Sequence, residues 1–518
     1  MAEKQPLSEE ALRAAVDAYV EKSLSNYRHT KIRDKKVIHD SVHGTNMFSP
    51  YEIAFLDLPI IQRLRRISQT DVASLVFPAG NHNRFEHTIG VAVIVGNMIN
   101  SLLLKNKIVC KYNKQNYIFN HCRVAAILHD CGHGPFSHLS EQIYAPELKK
   151  IKEKTSLKGA SEHEILSYFI ATSKPLKEFN KKIIKGVYNV DIDLDFVGSM
   201  IVGYINKKNA NLKKLGFAIE LINGAFDADK LDYILRDAHS TGIQMALDLP
   251  RLMHTLDVVC DTEGVNRLAI DISGVIALEE IVFNKMILTS TIYHHQKVRA
   301  AGCMLKSIIE KSGKFKNVFD YLDYTDDMLF CLNSNGVDEY VTQQLNKLKN
   351  RMLPKRAFCF SSHTLKNPYA QRDIMEGLQK NKRKDEIIAQ IAGYVRKELK
   401  HEISENDIWI DSPENPKFKE ATHCLIKDEG SEKGYIFLRE IFPTDDWVRA
   451  YSENKWKGFV YTFPENRSYV AKASRYVFEN VFNTEFNPFA EKLCKIDDDN
   501  RHCSLFLKLI HLHHEPSH

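Results

Sequence analysis

One stretch limits what this chain can become: Ala125–His138, A-A-I-L-H-D-C-G-H-G-P-F-S-H. The apolar run Val124–Leu128 has a helical pattern and delivers His129 and Asp130 side by side. Gly132, Gly134 and Pro135 are expected to stop that helix and force a turn, which carries His133 and ends at His138. Three imidazoles and a carboxylate within ten residues, beside glycines, do not read as a plain core helix. Neutral imidazole with carboxylate is the mixed ligand set that suits first-row divalent metals. A lone His-Asp pair is also how a buried hydrogen-bonded pair at a helix end is written, so partners elsewhere must decide.

A chain of 518 residues is too long for one simple core and predicts a large domain with an appended lobe. The net charge of +5 is small for that length and does not by itself imply a nucleic-acid surface. Basic residues do cluster, in Lys149–Lys158, Lys174–Lys185, Lys207–Lys214 and Lys380–Lys384. Each run reads as a solvated face, with a joint patch for phosphate-rich ligands as the alternative. The 10 cysteines include no C-x-x-C pair, which argues against a disulfide framework and a cysteine zinc site and suits a reducing cytoplasm. No apolar signal core follows Met1, and no run of about 18 uninterrupted apolar residues occurs, so no membrane partner is expected. The histidine-rich His511–His518 reads as a frayed end.

Along the chain, Ser8 opens a helix with Leu12, Val16, Tyr19, Val20 and Leu24 on one face. Lys36–Gly44 reads as a short strand and turn, and Pro50–Ser68 as helical. Asp57, just before Pro59, is placed for an N-cap. The polar cluster Asn81–His87, with Arg84, Glu86, His82 and His87, feeds a helix Thr88–Leu104 and reads as a cap or an anion pocket. His138 and Glu141 are three residues apart on a helix, close enough for the carboxylate to orient the imidazole. His163 opens a further helix. In Asn223–Ile243, Asp229, Tyr233 and Asp237 recur every four residues with Lys230 at the edge, reading as the wall of a polar pocket. Leu278–Ser307 is helical and carries Tyr293; the helical signal continues to about Gln379. Past Lys380–Asp385 the pattern turns to short strands, with hairpin signals at Glu429–Gly434 and Pro464–Arg467, the latter flanked by Gly458–Phe463 and Tyr469–Ala473. The expected fold is mainly α, an all-helical core with a smaller C-terminal α+β lobe. The expected divisions are an N-terminal helix 1–30, the core domain 31–380 and the lobe 381–518.

The spacing His87, His129–Asp130, Asp229 resembles the HD phosphohydrolase superfamily. Three segments, Asn83–Gly90 (N-R-F-E-H-T-I-G), His129–His138 and Asp227–Tyr233 (D-A-D-K-L-D-Y), closely resemble the deoxynucleoside triphosphate triphosphohydrolases within it, over about Ile38 to Arg299. The resemblance implies His87, His129, Asp130 and Asp229 as ligands of one divalent ion (Mn, Mg, Fe, Ni or Zn), with room for a second Mg beside the triphosphate. It implies attack of water on the α-phosphorus of a dNTP, releasing deoxynucleoside and tripolyphosphate. His138, oriented by Glu141, would protonate the leaving 5′-oxygen, and His133 and His163 would stand near the phosphates. Arg84 and Lys230 would hold phosphate oxygens, Tyr233 would pack on the sugar, and Asp237 and Gln69 would bind its 3′-hydroxyl; Tyr293 completes the substrate side. Asp57, Gln62 and Arg65 match the family's guanine-reading regulatory residues, implying a GTP or dGTP activator and a homo-oligomer, a tetramer.

This sequence departs from the family in places. Glu141 stands where aspartate is usual, and Thr70 where a bulky apolar residue excludes ribose. The Tyr293–Arg299 segment matches loosely, and Met286 and Ser290 replace phosphate-contacting Arg and His. Two other readings compete: an HD-type nuclease acting on single-stranded nucleic acid, motivated by the lysine runs, and a nucleotide-sensing regulatory protein.

Overall fold

Helix α1, Glu9–Ser25, starts where the Ser8 hydroxyl accepts the Ala11 N–H at 3.2 Å, with Glu9 and Glu10 in its electropositive first turn. Its buried residues are Leu12, Val16, Tyr19 and Val20, the face read from the spacing; Leu24 is half-buried. The computed structural model describes residues 6–108, 112–332, 338–379, 381–414, 418 and 423–494, and the statements below concern those residues. His511–His518 lies outside them.

The chain forms two compact units. The first gathers Met1–Val298, Leu305–Arg351 and Lys417–Val448; the second gathers Arg299–Met304, Met352–Pro416 and Arg449–His518. The first unit is built on helices α4, Arg84–Leu104, and α5, Tyr112–Leu128, which pack on one another, with the helix Ala228–Thr241 against α4. Helix α4 begins at Arg84 rather than Thr88, because the Asn83 side chain accepts the Phe85 and Glu86 N–H groups. The helix is buried on every side from His87 to Gly96; beyond it Met98, Ile99 and Leu102 stay buried while Asn97 and Asn100 are exposed, so its first half runs through the core and its second half lies along it. It is the one described helix long and apolar enough to cross a membrane, and most of it is buried within the protein.

The Pro50–Ser68 stretch breaks into α2, Pro50–Leu56, α3, Pro59–Gln62, and a 3-10 turn, Arg63–Arg66. Asp57 is not an N-cap. It closes α2, its N–H donating to Ile53 O, while the extended residue ahead of Pro59 is Leu58. Proline disfavours helical backbone in the residue before it, which puts the cap position at Leu58.

The first unit also carries strands that the sequence reading assigns only in part. Strands β1, Lys36–Asp40, and β2, Gly44–Phe48, form an antiparallel hairpin. Strands β3, Leu256–Cys260, and β4, Asn266–Asp271, are antiparallel, in a stretch read without strands. The expected tail hairpin forms, as β7, Leu425–Lys427, and β8, Tyr435–Phe437, with Gly434 at φ 74°. It adds to β4 in parallel, giving the order β3-β4-β7-β8.

The second unit holds β5, Lys355–Phe360, β6, Ile408–Asp411, and β9, Gly458–Thr462, in the order β5-β9-β6, all antiparallel. Strand β5 lies inside the stretch read as helical. Tyr469–Ala473, expected as a hairpin strand, belongs to the helix Arg467–Phe482. Pro464 opens a 3-10 turn rather than a hairpin, and Val470, Ala473, Val477 and Phe478 are buried at helical spacing on the sheet with Phe358, Phe360 and Val460. The architecture is mainly α, a helical body with a smaller C-terminal lobe containing sheet.

Candidate metal centre

Three helix ends bring the chemistry together. The Asn83 cap places His87 in the first turn of α4; α5 stops at Leu128 and releases His129 and Asp130 into a turn; Asp227 caps the helix Ala228–Thr241 and sets Asp229 in its first turn. His87 Nε2 lies 2.9 Å from Asp229 Oδ1 and 3.7 Å from Asp130 Oδ2. His129 Nε2 lies 3.4 Å from Asp130 Oδ1 and 4.0 Å from Asp229 Oδ1. The expected ligand set therefore converges.

The other ring nitrogens fix the tautomers. His87 Nδ1–H donates to Asp232 Oδ2 at 2.7 Å, and His129 Nδ1–H donates to Ala126 O at 2.7 Å. Both Nε2 atoms are then left buried without an aligned hydrogen-bond partner, facing carboxylates. Lone pairs facing anions repel unless positive charge lies between them. Burial lowers the proton affinity of His87, but the Asp229 carboxylate 2.9 Å from Nε2, the bond to Asp232 and the nearby Asp130 outweigh it and push its pKa up to about 10. A divalent cation supplies the same charge, and two imidazole nitrogens with two carboxylates are donors that suit one.

A second cluster adjoins the first. Glu141 Oε2 accepts from His138 Nδ1–H at 2.7 Å, and Oε1 accepts from His163 Nδ1–H at 3.0 Å and from the His163 backbone N–H at 3.0 Å. His163 stacks on His133 at 3.8 Å, and His133 Nε2 lies 3.5 Å from Asp130 Oδ1. Burial, then Arg84 and the charge on His163, hold His133 well below the ordinary imidazole range, so it is neutral. Against its own burial, Glu141 raises His163 to about 9. The four residues form one set of donors, with a fully buried neutral ring at the back and a half-exposed His138 at the front.

The turn that builds this cluster is not bent by its glycines. Positive φ falls on Phe136 (54°) and Ser137 (49°) instead. Such backbone costs on the order of 1–3 kcal/mol per residue and persists only where the surroundings hold it. Here Asp326 does, accepting the Phe136 N–H at 2.7 Å and the Ser68 N–H at 2.8 Å. Arg63 Nη2 adds bonds to His133 O, Tyr321 O and Tyr324 O at 2.8, 3.1 and 3.2 Å. The glycines serve close approach: a Cβ on Gly132 would stand 2.4 Å from His163 O, and one on Gly134 2.7 Å from Ser140 Oγ.

Arg84 is buried, with Nη1 on Asp130 Oδ2 at 2.7 Å and Nε on Ser137 Oγ at 2.9 Å, so it ties the Asp130 carboxylate to the strained turn. Lys230 Nζ bonds Asp227 Oδ2 at 2.5 Å and Gly224 O at 2.9 Å. Asp237 accepts from Tyr293 Oη–H at 2.5 Å and His82 Nε2–H at 2.7 Å, which brings Tyr293 and Asp237 together. Tyr293 closes a π-turn, Thr289–Tyr293, a wound segment that often marks a functional position. Gln69 Oε1 is buried without a partner, and the Thr70 hydroxyl reaches Gly80 O at 3.4 Å. Tyr233 is half-buried on the helix that holds Asp229 and Asp237.

Away from this centre, Gln62 Nε2–H donates to Leu56 O and Gln62 Oε1 accepts from Arg65, both at 2.8 Å; the Arg65 guanidinium lies 3.7 Å from the Phe85 ring centre. Asp57 is exposed and lines a cavity of about 610 Å³ whose walls include Arg28, Lys31, Arg33, Lys35 and Lys36.

The sequence that builds this centre matches known families. A model of the HD domain matches residues 84–194, and a model of the HD associated region matches residues 247–485. The chain carries an HD domain and an HD-associated region. It is 29% identical to an uncharacterized protein of Methanocaldococcus jannaschii over 82% of this chain and 79% of that one. It is 28% identical to the deoxynucleoside triphosphate triphosphohydrolase SAMHD1 of Homo sapiens over 56% of this chain and 46% of that one, and 30% identical to that of Danio rerio over 44% and 37%. The chain spans about half or less of the length of these two SAMHD1 relatives.

Several buried or half-buried polar residues that pack behind the centre are missed by sequence patterning: Asp232, Arg236, Asp40, His43 and Asp326. Asp232 and Arg236 sit on the buried side of the Asp229 helix, beside Leu231 and Ile234. An aspartate and an arginine four residues apart on an otherwise apolar face is the one local signal that points to them.

Proposed function

We propose that this chain is a metal-dependent phosphohydrolase that converts dNTPs to deoxynucleosides and tripolyphosphate. The observation that carries the reading is the meeting of four side chains from three helix ends: His87 and His129, each presenting a buried Nε2 to carboxylate oxygens, and the carboxylates of Asp130 and Asp229. A divalent ion held by these four supplies positive charge to phosphate oxygens and makes water acidic enough to be a nucleophile at neutral pH.

The chain's own residues do the rest. His138 is 56% exposed at its side chain and can reach a bound ligand, while Glu141 holds its Nδ1–H and so directs Nε2 outward. That is the geometry of a general acid for the leaving 5′-oxygen. His163, protonated up to about pH 9, and neutral His133 stacked on it form a wall that suits phosphate oxygens. Arg84 orients Asp130 and adds charge behind it. The buried Gln69 Oε1 is an unmatched acceptor for a sugar hydroxyl, with Asp237 and Tyr233 on the facing helix.

The basic cavity supports a regulatory role in the same protein: its arginines and lysines suit a triphosphate, and the Asp57 carboxylate suits guanine N1 and N2; Gln62 and Arg65, bonded to each other, follow Asp57 in the chain and are outside the cavity's lining. We place GTP or dGTP there as activator of a homo-oligomer, a tetramer, in the cytoplasm, where the free thiols among the described residues would persist.

The test is incubation with Mn²⁺ or Mg²⁺ and each dNTP, with and without GTP, resolving the products. Tripolyphosphate with deoxynucleoside is expected; release of diphosphate or monophosphate overturns the reaction. Oligonucleotide cleavage that disappears in His129→Ala would instead establish a nuclease.

A further inference from the structure

His87 is held from behind by a closed polar network. Asp232 is fully buried and all its acceptor positions are filled. Its Oδ2 takes His87 Nδ1–H at 2.7 Å and Arg236 Nε–H at 2.8 Å; its Oδ1 takes His43 Nε2–H at 2.6 Å and Arg236 Nη2–H at 3.0 Å. Arg236, also fully buried, donates to both oxygens of Asp40, from Nη1 at 2.9 Å and from Nη2 at 2.8 Å. Asp40 is the last residue of β1, and His43 lies in the turn to β2, its backbone N–H donating to Asp40 Oδ1 at 3.3 Å. Gly90, one turn beyond His87 on α4, admits the network: a Cβ there would stand 1.8 Å from Asp232 Oδ1 and 2.4 Å from Arg236 Nη2.

Stability does not explain this arrangement. Burying two carboxylates and a guanidinium carries a desolvation penalty, and well-packed apolar residues in such places are often as stable or more so. What the network supplies, and apolar packing cannot, is an anionic acceptor locked on His87 Nδ1. A carboxylate there fixes the ring's rotation and tautomer and raises the donor strength of Nε2. The lock has no slack of its own, because each Asp232 oxygen is shared with Arg236 and one further imidazole.

We propose that Asp232 is the positioning residue of the metal centre, and that the β1–β2 hairpin, through His43 and Asp40, sets the orientation of His87 and with it the affinity for metal. This rests on the reading of His87 as a ligand. The hairpin is thereby coupled to the metal site although none of its side chains is among the four expected ligands.

The experiment measures Mn²⁺ affinity by isothermal titration calorimetry on the full chain, for wild type, His43→Gln, Asp232→Asn and His87→Ala, with thermal unfolding of each metal-free protein alongside. Asp232→Asn and His43→Gln are expected to weaken Mn²⁺ binding, by about 10–100-fold for Asp232→Asn. His43→Gln leaves the Arg236 pairs in place and decides the matter if Asp232→Asn does not fold. A lowered unfolding midpoint in His43→Gln with unchanged Mn²⁺ affinity overturns the hairpin's role, and the same pattern in Asp232→Asn overturns the positioning role. His87→Ala keeps the two readings apart: if it binds Mn²⁺ as wild type does, His87 is no ligand. If it loses Mn²⁺ while the other two keep it, only the positioning proposal falls.

Discussion

Glu141 and His138 stand 2.7 Å apart, carboxylate oxygen to Nδ1, with the acid side chain 9% exposed and the imidazole 56% exposed. The orienting group is in the core and the group it orients is at the surface of the site. That division is what a proton donor needs: a fixed ring with a free outer nitrogen.

Removing the outer nitrogen is therefore predicted to act on turnover. His138→Ala should lower kcat by about 10²–10⁴-fold. Glu141→Gln, which keeps an acceptor for only one of two histidines, should lower it less, and both should leave KM nearly unchanged. Steady-state release of deoxynucleoside checks this; a rise in KM at constant kcat would make His138 a binding group instead.

The Glu141–His163 pair predicts a pH window for stability of the metal-free protein. His163 is raised to about 9, so its contribution is fully present below the unfolded value near 6.5 and is lost as pH rises through about 9. Glu141 is held well below its ordinary range, with burial opposing and the two histidines prevailing, so its contribution is present above about 4.5 and is lost as pH falls through the lower folded value. The unfolding free energy of wild type minus that of Glu141→Gln should peak between about pH 4.5 and 6.5 and shrink on both sides. Denaturant titrations across pH, in the presence of chelator, measure it; a difference that is flat with pH refutes the pairing.

Asp326 supports the positive-φ turn through two backbone N–H groups. Asp326→Ala leaves the buried Phe136 N–H and the half-buried Ser68 N–H unmatched, at about 1–3 kcal/mol for the buried one. A loss of that size in urea melts is expected, together with reduced turnover, because His138 follows Ser137 directly. Full activity in a destabilised Asp326→Ala protein would show that the turn keeps its shape unaided.

Chelation is predicted to abolish hydrolysis, and returned Mn²⁺ to restore it. Metal at about 100 times its dissociation constant should stabilise the fold by about 2.7 kcal/mol. Differential scanning calorimetry should show the rise in wild type and none in His129→Ala. An equal rise in both would place the ion elsewhere.

How much of this is legible in the sequence differs from residue to residue. His129, Asp130, His133 and His138 are close in sequence beside helix-ending residues, so local pattern suffices to suspect them. Asp229, Tyr233 and Asp237 share a helical face because four-residue spacing dictates it. Asp57 shows the limit of a local rule: proline shifts the cap to Leu58, and Asp57 closes the preceding helix instead. Tyr469–Ala473 shows another, since a short apolar stretch after a turn reads as strand or helix until something packs against it.

What lay in the sequence by itself was the donor chemistry, the helices that carry it and their order, because periodicity, caps and side-chain type are local properties. What only the tertiary structure decided was which distant groups stand behind them. Asp232 lies 145 residues from His87, and Asp326 lies 190 from Phe136, whose N–H it holds. The segment Leu425–Phe437 joins the sheet of β3 and β4 rather than that of its chain neighbours. Such pairings are set by which buried polar groups must find partners once the helices have packed, and no local stretch of chain contains that information.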